Sequence, residues 1–336
     1  MRAYEIQCAD GIDALEVAER PDPEPGPGQV RVRIRASSIN YRDLSTIEDP
    51  ESRKLPYPTV PNSDGAGDVV AVGEGVTGVQ VGERVMGTFF QRWADGPITA
   101  DAMASALGGA IDGVLAEGVV LAADGVVPIP DHLSYEEAAC LPCAALTAWH
   151  GLVEKGNVAA GDTVLLLGTG GVSIFALQFA GLRGARTIVT SSSSDKLARA
   201  KDMGAWQTIN YRDTPDWEQA VLEMTDGIGV DHVVEVGGPG TLGKSIQAAR
   251  VGGRISVIGI LTGTGGMVNP VDIMRKSLTV QGIYVGSRRM FENMNQAICE
   301  HDLHPVIDRA FEFDDARGAF HHMRGAGHFG KIVVTL

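Results

Sequence analysis

The stretch Thr163 to Ala180, TVLLLGTGGVSIFALQFA, constrains the fold more than any other part of the sequence. Val164 to Leu167 is an apolar run with the length and composition of a strand buried on both faces. Beyond a turn, Val172, Phe175, Ala176, Phe179 and Ala180 recur at helical spacing on one face. Between them lies Gly168-Thr169-Gly170-Gly171-Val172-Ser173. Glycine at 168 permits a tight turn. Glycine at 170 and 171 leaves backbone amides unobstructed at a helix N-terminus, where a pyrophosphate is stabilised. The pattern is G-x-G-x-x-G with Ser173 in the last position. A glycine triplet alone is weak evidence, but strand, turn and helix in this order make a dinucleotide cradle the expected use of the segment.

From about Ala160 onward, strands and helices alternate. Arg186 to Thr190 reads as a second strand, Asp195 to Met203 as a helix, Thr208 to Asn210 as a short strand and Asp216 to Met224 as a helix. Asp231 to Val236 and Arg254 to Ile258 are further strands around a helix near Thr241 to Ala249, and Leu278 to Tyr284 is the last strand. This alternation predicts an α/β fold, a doubly wound parallel six-stranded sheet with helices on both faces. Residues 1 to 125 are β-rich instead. Val30 to Arg35 alternates strictly, apolar side chains against Arg31, Arg33 and Arg35. Glycines punctuate Gly65 to Gly87 in the manner of short strands in a barrel-like module. Pro21 to Gly28 carries four prolines and is an extended connector that cannot be helical. The ending Lys331 to Leu336 is strand-like and is expected to rejoin the first module. The expected domains are therefore 1–125 with 303–336, and 126–302.

Bulk properties exclude several classes. At 336 residues, 44% apolar and 21% charged, the chain is of ordinary globular composition and of the size of two domains. A formal net charge of −14 without a Lys/Arg run excludes nucleic acid and anionic membranes as expected partners. Cys8, Cys140, Cys143 and Cys299 are too few and too scattered for a disulfide framework. With no signal segment and no apolar span of about 18 residues, a cytoplasmic protein is expected.

With both halves in view, the chain resembles the medium-chain dehydrogenase/reductase superfamily, in its zinc-independent, quinone-oxidoreductase-like branch. The resemblance is carried by Ala36-Ser37-Ser38-Ile39-Asn40-Tyr41-Arg42-Asp43-Leu44, Gly65-Ala66-Gly67, Val81-Gly82-Glu83-Arg84-Val85, Ala144-Ala145-Leu146-Thr147-Ala148-Trp149, the turn at Gly168, and Gly204 to Arg212. It implies a GroES-like catalytic domain, a Rossmann domain, and nicotinamide and substrate held between them. It also implies a homodimer, often formed through the last Rossmann strand, here near Thr279 to Tyr284.

Zinc alcohol dehydrogenases of the same superfamily place a cysteine ligand where this chain has Asn40, a histidine where it has Ser63, an acidic residue at Asp64 and a third ligand at Cys143. One thiolate and one carboxylate do not make a tetrahedral zinc site, and no cysteine lies between Met86 and Ala123 to build a structural one. No zinc is expected. His301, His304, His321 and His322 read as surface residues.

Dinucleotide folds that prefer NAD end their second strand with an acidic residue that repels a 2′-phosphate. The resemblance aligns Ser191 with that position. With Ser192 and Lys196 it offers a neutral-to-positive pocket that can donate to phosphate, so NADP(H) is expected over NAD(H). A polar loop capping the next helix, with Ser194 as N-cap, is the plainer alternative. The resemblance brings Thr147 and Tyr211 to the cofactor, and Phe329-Gly330-Lys331 close to it. Gly259, Leu261, Gly286, Ser287 and Arg288 follow the fifth and sixth strands and are expected to line the nicotinamide site, since ligands bind beyond the carboxyl ends of parallel strands; Arg288 has an acidic surface partner as its alternative.

Hydride transfer leaves charge on a carbonyl oxygen, and without a metal this chain must meet it with hydrogen-bond donors. A quinone or α,β-unsaturated carbonyl spreads that charge by conjugation and lowers the demand. Asn40 is the expected donor to substrate oxygen, Tyr41 a second donor and Asp43 an orienting or proton-relaying group, while Ser63 stands at an emptied metal position. Each has a purely structural alternative: loop pinning for Asn40, packing for Tyr41, helix capping for Asp43. Phe89, Phe90 and Trp93 are expected at the substrate pocket, with core packing as their alternative. The expected function is NADPH-dependent reduction of a conjugated carbonyl. The alternatives are a zinc-free alcohol dehydrogenase and a non-catalytic nucleotide-binding protein.

Overall fold

In the computed structural model, which describes residues 1–336, the alternating segment at Val30 is the spine of a sheet, with Val30, Val32 and Ile34 buried and the arginines on its other face. The elements run β1 (Arg2–Glu5), β2 (Glu16–Glu19), β3 (Gln29–Ile39), α1 (Tyr41–Glu48), β4 (Asp64–Val72), β5 (Arg84–Gly87), α2 (Ala100–Met103), β6 (Gly118–Ala122), β7 (Val126–Pro128) and α3 (Tyr135–Ala139). Two π-helical turns, Leu141–Ala145 and His150–Glu154, flank the short α4 (Leu146–Trp149). Then come β8 (Thr163–Leu167), α5 (Gly171–Leu182), β9 (Arg186–Ser191), α6 (Ser194–Asp202), β10 (Gln207–Asn210), α7 (Trp217–Met224), β11 (Val230–Glu235), α8 (Pro239–Ala248), β12 (Ala249–Val257), α9 (Pro270–Arg275) and β13 (Thr279–Gly282). The chain ends with α10 (Arg288–Glu300), β14 (Ile307–Glu312), α11 (Ala316–Arg324) and β15 (Lys331–Thr335).

Two units result: Met1–Leu146 with Val285–Leu336, and Thr147–Tyr284. In the first, seven strands form one sheet of order β14-β15-β3-β4-β5-β7, with β6 also on β3. The tail rejoins the first module as expected: β15 runs antiparallel to β3, with Ile332 opposite Ile39. That register sets Lys331 beside Asn40, just past the end of β3. Under the sheet, Tyr4, Ile12, Ile39, Leu44, Ile47, Phe313, Phe320 and Ile332 form one buried cluster.

Residues 126–146 and 285–302 fall in this first unit, whereas the sequence reading assigned them to the second. The reason is pairing: β7 joins the sheet through β5, α3 packs on β3 and β4, and α10 packs on β7. Their helical, apolar character is indistinguishable from that of the βα repeats, so composition gives no boundary there.

In the second unit the sheet order is β10-β9-β8-β11-β12-β13, every pair parallel. Central β8 is buried at all positions. One cluster gathers Leu165, Ile188, Val233 and Ile255 with Trp217, Val221 and Ile246 from α7 and α8. Elsewhere in the unit, Phe175 stacks on Phe179 at 6.0 Å and Trp149 meets Phe179 edge-on at 5.4 Å. The expected strands recur within about two residues, except that β12 starts at Ala249 rather than Arg254. Gly252, at φ +74°, lets the strand continue through a bend that an apolar count does not register. β13 is an exposed edge. No helix is long and apolar enough to cross a membrane.

Candidate functional site

The polar side chains of the first unit gather where β3 ends and α1 begins. Asn40 is the N-cap residue of α1, and its backbone N–H donates to Asp43 Oδ2 at 2.8 Å. Asp43 is fully buried, and its other oxygen accepts from Arg42 Nη1 at 3.0 Å. The same guanidinium donates to the carbonyls of Leu107 and Gly108 at 2.8 and 3.1 Å and lies over the Phe89 ring. Asp43 therefore positions the turn at Asn40 and, through Arg42, the loop at 107–108. Both its oxygens are engaged, which favours positioning over proton relay.

Lys331 is 3% exposed, and its ammonium donates to Asn40 Oδ1 at 2.6 Å and to Ile39 O at 2.8 Å. An ammonium only donates, so the Asn40 carbonyl must face it and Nδ2 must face the other way. That nitrogen is buried and makes no hydrogen bond, although it lies near enough to Asp64 to favour the ionised carboxylate. A buried donor without a partner costs about 1–3 kcal/mol. Such an atom calls for a partner, whether water, an ion or a ligand.

Asp64 opens β4 and is fully buried. Ser63 Oγ donates to one oxygen at 2.6 Å and the Cys143 N–H to the other at 3.0 Å. Burial pushes its carboxyl up to about 6; the Lys331 ammonium opposes this, Asp43 adds to it, and Ser63 and Asn40 oppose it. Burial, with Asp64 nearby, also pushes the Cys143 thiol well up, so it is not a thiolate.

In the second unit, the predicted strand, turn and helix are all present. Gly168 sits at φ +76°, a conformation that favours glycine, and its N–H donates to Thr190 O at 2.9 Å. Gly170 is the N-cap of α5 and supplies no side-chain cap. By contrast α3, α6, α9 and α10 are capped by Ser134, Ser193, Asn269 and Ser287. Thr169 is buried, Gly171 and Val172 start the helix half-buried, and Thr147 is buried in α4. Ser173, in the place of the third glycine, donates its hydroxyl to Leu167 O at 2.7 Å. Helix and strand are thus tied where a glycine would only bring them close.

Helix α6 begins at Ser194, one residue earlier than the sequence suggests, and its cap is Ser193, whose Oγ accepts from Lys196 N, rather than Ser194. Ser194 instead accepts from Asn210 Nδ2 at 3.1 Å. Ser191 is buried at the end of β9, and its hydroxyl oxygen accepts from Ser193 N at 3.2 Å. Ser192 and Lys196 are half-buried, and Tyr211, held by its N–H to Ser191 O, is exposed.

Several predicted residues are occupied otherwise. Phe89, Phe90 and Trp93 are at most 5% exposed and pack edge-on against one another, which makes them core rather than an open wall. Tyr41 is exposed at the start of α1. Gly286, Ser287 and Arg288 belong to the first unit: a Cβ at 286 would strike Leu146, Ser287 caps α10, and Arg288 pairs with Glu292 at 3.0 Å and reaches Asp124. Arg288 was expected at the nicotinamide site; the acidic pairing found here is the alternative given for it. Gly259 follows β12, where a Cβ would meet Val236 O at 2.2 Å, and Leu261 is half exposed.

Sequence reasoning missed Glu235, fully buried at the end of β11. Its Oε1 accepts from Gly237 N, Gly238 N and Thr241 Oγ1 at 2.8, 2.9 and 2.6 Å, and Oε2 accepts from Ser245. The signal was a carboxylate closing the strand directly after the apolar pair Val233-Val234. It also left Lys331 without its Asn40 partner, which only the β3–β15 register reveals.

Residues 26–131 match the alcohol dehydrogenase GroES-like domain and residues 171–300 the zinc-binding dehydrogenase domain. A zinc-type alcohol dehydrogenase-like protein of Schizosaccharomyces pombe is 45% identical over 307 residues, covering 90% of this chain and 89% of its own length. The 2-methylene-furan-3-one reductase of Solanum lycopersicum is 31% identical over 288 residues, 83% of this chain and 64% of that one. A crystal structure of an NAD-dependent alcohol dehydrogenase superposes with a TM-score of 0.91 at 36% identity, covering 100% of both chains.

Proposed function

Because the chain belongs to the medium-chain dehydrogenase/reductase superfamily and is an NAD(P)-dependent oxidoreductase of that family, we propose that it uses NADPH, without zinc, to reduce a conjugated carbonyl, a quinone or an α,β-unsaturated carbonyl compound. The observation that carries this reading is the buried Nδ2 of Asn40, which makes no hydrogen bond of good geometry and has Asp64 as its near neighbour. Lys331 holds the amide so that this nitrogen is the donor on offer, and a cation on Oδ1 strengthens the donor at the other end.

When bound, the reduced nicotinamide supplies the hydride. The acceptor oxygen then gains charge, and Asn40 Nδ2 donates to it. One such donor is typically worth about 3 kcal/mol in the transition state. That is little for an unactivated ketone and more adequate where conjugation spreads the charge. The tomato relative named as a furanone reductase agrees with an acceptor of this class.

Zinc does not fit the group at Asp64. Only Asp64 and Cys143 there carry metal-binding groups; Asn40 and Ser63 stand in the other two places, and the Asn40 oxygen is taken by the Lys331 ammonium. One carboxylate and one thiol beside an ammonium lack the three or four converging ligands zinc needs.

The amides at Gly170 and Gly171, free of a side-chain cap, suit the pyrophosphate. Ser191, Ser192 and Lys196 are proposed to hold the 2′-phosphate. Ser191 accepts from Ser193 N, which leaves its hydroxyl proton to donate. The related crystal structure is named NAD-dependent, so cofactor choice is a point to test. Oxidation of simple alcohols is the second reading, favoured by that same relative.

The experiment follows NADPH absorbance across quinones, enones, saturated aldehydes and ketones, with and without chelator. Turnover of conjugated acceptors that resists chelation and is lost in Asn40→Ala while NADPH affinity persists supports the reading. Turnover confined to saturated substrates, or abolished by chelator while the Tm is unchanged, overturns it.

A further inference from the structure

Away from the Asn40 group, three side chains of the first unit aim at one point. His132 lies in the turn between β7 and α3, and Asp302 and His304 follow α10. Asp302 Oδ1 is 4.0 Å from His132 Nε2 and 3.9 Å from His304 Nε2. The three atoms all lie within 4.8 Å of one another. These separations exceed hydrogen-bond reach. Two imidazole nitrogens and a carboxylate oxygen that face one another without bonding are arranged for a cation rather than for each other.

We propose that His132, Asp302 and His304 bind a divalent transition metal of the zinc class, which clamps the β7–α3 turn to the segment after α10. Two imidazoles and a carboxylate are a recognised zinc donor set, with the fourth position left to water or another oxygen. In tetrahedral geometry, with bonds of about 2.1 Å, neighbouring ligand atoms stand about 3.4 Å apart. The two Asp302–histidine separations exceed that spacing by about half an ångström, within reach of a side chain that is 81% exposed, and the two imidazoles must close on each other as well. His132 Nε2 donates to the Leu303 carbonyl at 3.3 Å, so metal binding requires the imidazole to move its proton to Nδ1 and give up this bond.

Supporting contacts fix the donors. Glu137 Oε1 accepts from His304 Nδ1–H at 2.7 Å, which leaves Nε2 as the ring nitrogen that carries the lone pair in the neutral imidazole. Asp302 itself sits at φ +48°, in the left-handed region, where the chain leaves α10. The next amide, Leu303 N–H, caps the helix on Ile298 O at 3.1 Å, so the carboxylate hangs from a fixed backbone. The rings of His132 and His304 meet edge-on with centroids 5.2 Å apart.

The test titrates ZnCl2 into the full chain, previously stripped with EDTA, by calorimetry, and records Tm with and without zinc. One equivalent should bind saturably and raise Tm. The double variant His132→Gln/His304→Gln should lose that equivalent and show no rise in Tm when zinc is added to it, whatever its own Tm in EDTA. Glu137→Gln should weaken binding by about tenfold, the usual cost of losing a partner behind a metal-bound histidine. Asp302→Asn, which keeps the side-chain shape, should weaken it too and serves if the double variant does not fold. Zinc binding of unchanged stoichiometry and affinity in the double variant or in Asp302→Asn, or no saturable binding to the wild type, overturns the proposal.

Discussion

Lys331 Nζ sits 2.6 Å from Asn40 Oδ1, so a residue at the start of the last strand dictates which way an amide near the start of the chain presents its donor. If Asn40 serves the acceptor oxygen, Lys331→Met should lower kcat by roughly a hundredfold, the scale of losing one oxyanion donor, because the amide is then free to turn. KM for NADPH should change far less. Steady-state kinetics on a conjugated acceptor decides, and an unchanged kcat removes Lys331 from this role.

Asp64 makes a pH prediction with a definite sign. Its carboxyl ionises near 6 in the folded chain, mainly because it is buried, and near 3.8 when unfolded. Between those values the folded chain retains a proton that the unfolded chain has released. Its contribution to stability is therefore greatest at low pH and declines as pH rises to about 6, by at most about 3 kcal/mol. Urea unfolding of wild type and Asp64→Asn at several pH values isolates this term from carboxyls such as Asp231 and Asp308, which are shifted down. A wild-type advantage that grows with pH contradicts the assignment.

At the cofactor, Ser191→Asp would place a carboxylate where the 2′-phosphate is proposed to lie. The ratio of kcat/KM for NADPH over NADH should fall by at least about tenfold, equivalent to 1.4 kcal/mol. An unchanged ratio would separate Ser191 from the phosphate.

Ser173→Ala removes the bond to Leu167 O and should destabilise the chain by about 1 kcal/mol in urea. NADPH binding should survive, since the amides of Gly170 and Gly171 do not depend on that hydroxyl. A stability equal to wild type would mean the bond contributes nothing beyond what water supplies.

The parallel sheet was legible because its signals are local: apolar runs such as Val164 to Leu167, a glycine at a φ of +76°, and helical periodicity in α5. The boundaries at 146 and 285 were not, because they are set by β7 pairing with β5 and α10 packing on β7, partners distant in sequence. Asn40 was singled out from its motif, but its orientation depends on a lysine almost the whole chain away. Phe89 and Phe90 were misplaced because an aromatic in a sequence carries no sign of whether it faces a ligand or the core. His304 read as a surface residue and is one, half exposed; its neighbours His132 and Asp302 meet it only through the fold.

Glu235 bears on how a nucleotide can lie on this sheet. β8 and β11 are neighbours, and each feeds a helix whose first amides point beyond its carboxyl end. The start of α8 already faces a carboxylate from its own chain, engaged by Gly237 N, Gly238 N, Thr241 and Ser245. The start of α5 faces none. Of two adjacent sites with the same intrinsic attraction for an anion, one is permanently self-occupied, and this asymmetry gives the sheet a polarity for an incoming diphosphate: it can settle over Gly170 but would meet a resident negative charge over Gly238.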